Sequence, residues 1–148
     1  MRLRDICSDR YRKAAAMTNP TDPGAIVDRF LRLMAVKDYD GALPLIAEHC
    51  HYHNMPMEPV IGPAAVRAVL EPFFAPTIEN EFVIRHMVTD GPLVFAERLD
   101  RHRLATGWVE LPVTGIFEIH DGQITAWRDY FDAATLLKQW PALGALFS

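Results

Sequence analysis

From Glu81 onward the chain reads E-F-V-I-R-H-M-V (81–88), L-V-F-A-E-R-L-D-R-H-R-L (93–104), W-V-E-L-P-V-T-G-I-F-E-I (108–119) and I-T-A-W-R-D-Y-F (124–131). These four runs decide the fold. Each is rich in β-branched and aromatic residues, and turn signals separate them: Asp90-Gly91, Ala105-Thr106-Gly107 and Asp121-Gly122. The last pair predicts a tight hairpin, since Asp-Gly suits a two-residue turn. Pro112 and Gly115, inside the third run, predict a bulge or a sharp bend there.

Upstream of these runs the pattern is helical. Asp22-Pro23 fits an N-cap followed by proline at the first helical position, and Val27, Phe30, Leu31 and Met34 then share one face. A second short helix is expected over Tyr39 to Glu48, delayed or kinked by Pro44. C-H-Y-H-N (50–54) reads as a short strand, and the loop after it ends at Gly62-Pro63, which opens a third helix through Val66, Leu70 and Phe74. A last helix is predicted over Ala133 to Trp140, with Asp132 as its cap and Pro141 as its stop. Helices first and antiparallel strands after them is the α+β pattern: a curved mixed β-sheet cone with the N-terminal helices packed on it, enclosing an apolar pocket.

At 148 residues, half of them apolar, the chain is long enough for one core and short enough to have only one. Residues 1–21 are read as a flexible extension and 22–148 as a single domain. A net charge of −4 argues against a nucleic-acid partner on electrostatic grounds, and no apolar run approaches the roughly 20 residues that would span a membrane. The basic N-terminus lacks the apolar core of a secretory signal, and two cysteines, Cys7 and Cys50, make no disulfide framework; a reduced cytoplasmic setting is the expectation.

The strands that carry the fold also carry charges where apolar residues belong. F-A-E-R-L-D (95–100) and W-R-D-Y-F-D (127–132) each hold an arginine and aspartates. A charge in an apolar setting is costly unless it is paired, so the two sets are expected to meet. Side chains two apart on a strand share a face. Arg98 and Asp100 therefore face one way with Val94 and Ala96, Tyr52 goes with Asn54, and Asp129 goes with Trp127 and Phe131. Arg128 and Tyr130 point away. One pocket can then hold Arg98, Asp100, Asp129, Tyr52 and Asn54.

An arginine between two carboxylates can bond both through its planar fork. One positive charge does not fully satisfy two buried negative ones, so one carboxylate tends to keep its proton near neutral pH. The result is a base and an acid in one cavity, as general acid–base catalysis requires. A tyrosine hydroxyl and an asparagine amide nearby could hold a water. No good nucleophile is backed by a base, so a covalent intermediate is not expected. These arguments leave open which aspartate is the acid.

Each motif has a plainer reading. A strand R-x-D pair is more often a structural ion pair, and an aspartate near a strand end often caps the next helix. Only the joint pattern favours catalysis. His51 and His53 share a face but lack a third ligand at a recognisable spacing, so no metal and no cofactor is expected. His86, His102 and His120 are read as surface residues, Cys50 as core, and Trp108, Trp127, Trp140 and Phe74 as core or pocket wall. Glu97 and Arg128 are read as an outward pair, solvated or at an interface.

Taken together, Y-x-N-M-P (52–56), E-R-x-D (97–100) and G-x-I-x-x-W-R-D-Y-F-D (122–132) resemble the limonene-1,2-epoxide hydrolase family. That family sits in the cone-shaped superfamily of nuclear transport factor 2 and ketosteroid isomerase. The similarity runs from about residue 25 to about residue 137. It implies a hydrolase that opens small epoxides in one step without metal or covalent intermediate, and a homodimer built through the outer surface of the sheet. It also implies roles: Asp129 as the base, Tyr52 and Asn54 as the residues that orient the water, Asp100 as the acid, and Arg98 as the bridge. A lining of Met57, Phe74, Met87, Val113, Ile116, Phe117 and Trp127 is expected to suit a cyclic or terpene-like epoxide. The alternatives are a ketosteroid isomerase-like or polyketide cyclase-like enzyme on the same cone, or a non-catalytic protein that binds small molecules.

Overall fold

The computed structural model describes residues 21–148. The extension expected over 1–21 thus lies outside the described residues except for Thr21. Helix α1 (Pro23–Ala35) starts where the cap was expected: Asp22 Oδ2 accepts from the Ala25 amide at 3.1 Å, and Pro23 occupies the first turn. It buries Ile26, Val27, Phe30, Leu31 and Met34. Helix α2 covers only Tyr39–Ala42, followed by a 3₁₀ turn over Leu43–Leu45. The longer helix predicted to Glu48 fails here. Pro44 has no N–H to continue the ladder, and Ile46 and Ala47 are buried at the start of strand β1 (Ile46–Asn54).

A two-residue strand β2 (Val60–Ile61), not foreseen in the loop, pairs antiparallel with β1. Helix α3 (Pro63–Phe74) follows, then the long strands β3 (Glu79–Asp90), β4 (Leu93–Leu104), β5 (Gly107–His120) and β6 (Gln123–Tyr130). Helix α4 (Ala133–Gln139) is capped by Asp132, whose carboxylate accepts from the Ala134 and Thr135 amides, and a 3₁₀ segment (Pro141–Phe147) ends the chain. At Asp121-Gly122 both residues have positive φ, 50° and 75°, as a two-residue hairpin turn with the right-handed strand twist requires.

The six strands form one curved, unclosed sheet in the order β2-β1-β6-β5-β4-β3, antiparallel except for the parallel β1–β6 pair. Helices α1 and α3 pack against its inner face. The main core joins Phe30, Met34, Val66 and Phe74 to Val94, Phe117, Ile124 and Trp127 of the sheet. A second cluster joins Val109, Leu111 and Val113 to Leu136, Trp140 and Leu143 at the C-terminal end.

The bulge expected at Pro112 and Gly115 is absent: β4 and β5 pair without interruption from Leu93↔Glu118 to Leu104↔Gly107. Pro112 is accommodated because β6 pairs with β5 only from Thr114 onward, so the proline has a ladder on one side only. The register shifts lie elsewhere, between Ile84 and His86 on β3, between Glu118 and Ile119 on β5, and between Ile46 and His51 on β1.

Candidate active site

The register stacks the inner face of the sheet in rows. One row runs Val94–Phe117–Trp127–Tyr52 across β4, β5, β6 and β1, and the next runs Ala96–Gly115–Asp129–Asn54. The first is a bulky aromatic floor. The second holds two very small residues beside the two polar ones. Arg98, one row further along β4, leans into the gap over Gly115 and reaches Asp129 on the far side of β5.

Its guanidinium meets both aspartates. Arg98 Nε donates to Asp100 Oδ1 at 2.7 Å and Nη2 to Asp100 Oδ2 at 3.1 Å, while Nη1 donates to Asp129 Oδ1 at 3.1 Å and Nη2 to Asp129 Oδ2 at 2.6 Å. All three side chains are buried, Arg98 to 1% exposure. The close approach depends on Gly115. A Cβ there would lie 2.8 Å from Asp129 Oδ1 and 3.0 Å from a Phe117 ring carbon, and closer still to Arg98 Nη1. Gly115, read from sequence as a bend, is instead the opening through which the arginine passes.

Asp129 has a third donor: Trp127 Nε1 reaches Oδ1 at 2.8 Å. Trp127 also stacks on Tyr52 with ring centroids 4.1 Å apart. Asn54 Nδ2 donates to the Tyr52 hydroxyl at 2.7 Å, which leaves the phenol its own hydrogen to donate. Burial, reinforced by the Asp129 carboxylate, pushes the Tyr52 phenol far above its ordinary range, so it stays protonated. Asp100 is raised to about 6, mainly by burial, with Asp129 adding to the rise and Arg98 opposing it. Arg98 is held charged: burial works against its charge, but the two carboxylates outweigh it and raise its pKa.

The five residues line a cavity of about 500 Å³. Of the expected lining, Met57, Phe74, Val113 and Trp127 contribute to it, and Met87, Ile116 and Phe117 do not. Phe117 is fully buried beneath the site, stacked against Trp127 at 5.6 Å. Ile116 alternates to the other face of β5, and Met87 packs near Gly24 of α1. Apart from Phe74, the sequence missed the wall supplied by α3 and the C-terminal segment, including Phe73, Leu143 and Phe147, because their positions depend on long-range packing.

It also missed His102. This residue is 2% exposed and lines the cavity, where a surface position was expected. The strand alternation that placed Arg98 and Asp100 inward places His102 with them, and that signal was available. Trp108, read as core or wall, is instead partly exposed, with the Arg101 guanidinium 4.3 Å from its ring. Glu97 and Arg128 both face outward but do not pair with each other: Glu97 bonds His86, and Arg128 bonds Glu118.

A second hollow, about 710 Å³ and open to solvent, lies on the outer face of β1 and β6. His49, His51, His53 and His120 line it, but among the described residues no group of three or more His, Cys, Asp or Glu side chains could hold a metal ion. No described helix is long and apolar enough to cross a membrane.

A curved sheet closed by helices around a buried carboxylate–arginine–carboxylate set defines a cone protein of the nuclear transport factor 2-like type. Comparison narrows the class. The family model of the limonene-1,2-epoxide hydrolase catalytic domain matches residues 21–142, and the chain belongs to that family. It is 30% identical over 112 residues to epoxide hydrolase EphG of Mycobacterium tuberculosis, covering 76% of this chain and 74% of that protein. A solved LEH-like epoxide hydrolase from M. tuberculosis superposes with a TM-score of 0.69 at 27% identity, covering 84% of this chain and 95% of that one. A SnoaL-like polyketide cyclase-type protein from Shewanella denitrificans superposes with a TM-score of 0.74, covering 81% of this chain and 97% of that one; at 17% identity it shows the fold alone.

Proposed function

We propose that the protein hydrolyses a small, largely apolar epoxide, cyclic or terpene-like, to a vicinal diol in one step. The observation that carries this reading is Arg98 bonded to both Asp100 and Asp129 at the wall of an apolar cavity, beside the Tyr52–Asn54 pair. Asp129, held by Arg98 and Trp127, takes a proton from a water positioned by Tyr52 and Asn54. The water oxygen bonds an epoxide carbon as the carbon–oxygen bond of the ring breaks. Asp100 gives its proton to the departing epoxide oxygen. Its raised pKa supports the acid assignment, because a carboxyl at about 6 keeps a proton to donate at mildly acidic to neutral pH.

Arg98 keeps the two carboxyl groups apart in role. With Asp100 protonated it balances the one negative charge of the pair, and it bonds both carboxyl groups at once, so charge can pass from base to acid without moving the side chains. An isomerase or cyclase on this cone would need one carboxylate base and an oxyanion donor. A second, protonated carboxyl could serve as that donor, but such an enzyme has no use for an arginine bridging the two carboxyl groups, nor for a water clamp. A homodimer through the outer sheet face is part of the proposal, supported by the exposed Val83 and Phe95 there, and analytical ultracentrifugation tests it. The buried free thiol of Cys50, pushed up to about 11 by burial, suits the cytoplasm proposed for the protein.

The test is diol formation from limonene oxide, cyclohexene oxide and styrene oxide by the native protein, Asp129→Asn and Asp100→Asn. Diol from the native protein alone, with both variants folded, is the expected result. No diol from any epoxide by folded native protein, or full activity in Asp100→Asn, would overturn it.

A further inference from the structure

His102 lies two residues past Asp100 on the same face of β4, boxed by Phe73, Phe74, Phe82 and Trp140. A relay of hydrogen bonds fixes its tautomer. Thr77 Oγ1 donates its hydrogen to the Phe74 carbonyl at 2.7 Å, so toward Asn80 the same oxygen accepts, from Nδ2 at 2.9 Å. With its nitrogen committed, Asn80 turns Oδ1 toward His102 Nδ1 at 2.8 Å. A carboxamide oxygen only accepts, so Nδ1 carries the proton and Nε2 is a bare lone pair.

Among the described residues nothing donates to Nε2. No buried side-chain nitrogen or oxygen is left without a partner among them, so Nε2 must reach accessible surface. For a ring enclosed on its other sides, that surface is the cavity it lines. Burial, with the Arg98 charge adding to it, pushes the imidazole down to about 4, so it is an acceptor and not a donor at neutral pH.

We propose that His102 Nε2 is a specificity-determining acceptor and that the substrate carries one hydroxyl or N–H donor about 7 Å from the epoxide oxygen, the span of two residues along a strand. The preferred substrate is therefore an oxygenated or amide-bearing epoxide, turned over faster than a bare hydrocarbon one. An apolar cavity with one fixed lone pair discriminates in both directions. A hydrocarbon leaves Nε2 unpaired, and a polar group set against the apolar part of the wall goes unmet. The epoxide part of this inference rests on the hydrolase reading; the donor part does not.

Two measurements separate them. The first compares kcat/KM for the epoxides of 4-(2-hydroxyethyl)cyclohexene and its isostere 4-propylcyclohexene, in native protein and in His102→Phe. The native protein should favour the hydroxyethyl epoxide, and the ratio should move about tenfold or more toward the propyl epoxide in the variant. A purely structural role for His102 would lower both rates and leave the ratio unchanged, which overturns the proposal. The second needs no turnover and no variant. In ¹⁵N-histidine-labelled native protein, Nε2 should resonate as an unprotonated nitrogen, shift on adding 2-cyclohexylethanol, and stay still with propylcyclohexane. A protonated Nε2, or one indifferent to the alcohol, overturns the proposal even if the protein turns over no epoxide at all.

Discussion

Replacing Gly115 with alanine adds one methyl group at the most crowded point of the site. The new Cβ would sit 2.8 Å from Asp129 Oδ1, roughly 0.7 Å inside an ordinary contact of ~3.5 Å, and closer still to Arg98 Nη1. The backbone of β5 is held by ladders on both sides, so the side chains must give way. The Nη1–Asp129 bond, already 3.1 Å, breaks first, and Arg98 withdraws toward Asp100. Hydrogen bonds to charged groups contribute about 1.5–3 kcal/mol each, and removing glycine from a strand returns roughly 0.5–1 kcal/mol, so the net loss is about 0.5–2.5 kcal/mol. At this chain length that lowers the Tm by about 1–10 °C. Displacing the bridge by a fraction of an ångström or more should reduce kcat about 100-fold. Calorimetry and diol formation measure both effects, with Gly144→Ala, which meets nothing within 4 Å, as the neutral control. Native turnover in Gly115→Ala would refute the claim that this gap admits the arginine.

Arg98→Lys should lose at least 100-fold in kcat, because a single ammonium cannot present two paired forks; steady-state kinetics on a protein shown to be folded by circular dichroism decide it. Trp127→Phe keeps the stack on Tyr52 and removes only the donor to Asp129, so a roughly tenfold fall in kcat is expected with little change in KM. If Asp100 is the acid, as proposed, kcat/KM should fall as pH rises through about 6, and a pH–rate profile without that limb would remove it from that role. Stability has a compensating pair. Asp100 is raised from 3.8 to about 6 and stabilises the fold less as pH rises through that window, whereas His102, lowered from 6.5 to about 4, stabilises it more. Denaturant titrations should therefore show little slope from these two groups between about pH 4 and 6, and in His102→Phe a loss of about 3 kcal/mol as pH rises across it.

How much of this was legible depended on whether the signal was local. Asp121-Gly122 specified its hairpin because two positive φ angles are a local demand. The alternation of β4 and β6 put Arg98, Asp100 and Asp129 inward because side-chain direction on a strand is local too. The second helix was misjudged at Ile46, where pairing with Ile124, nearly eighty residues away, claimed the chain for the sheet. The lining was misjudged at Met87 and Phe117 for the same reason: their apolar character was readable, but whether each faced the cavity or packed beside or beneath it depended on the placement of the helices and the C-terminal segment. Ile116 was a local error, since alternation with Val113 and Phe117 already put it on the other face.

The deepest dependence is on sheet order. Tyr52 and Asn54 meet Trp127 and Asp129 through the parallel β1–β6 pair, a contact that no hairpin signal announces. Arg98 meets Asp129 although β4 and β6 are not neighbours, since β5 runs between them. A strand in that position can serve the site only by what it lacks. Val113 and Phe117, the residues two away from Gly115 on the same face, are both large, and either at position 115 would wall the arginine off from Asp129. Without that bridge Asp129 would keep only the Trp127 donor, and Arg98 would be left with a surplus of unpaired N–H groups in an apolar cavity. The charges on β4 and β6 are therefore compatible with burial only together with a near-absent side chain on β5, and the three positions form one device although only two of them carry any chemistry.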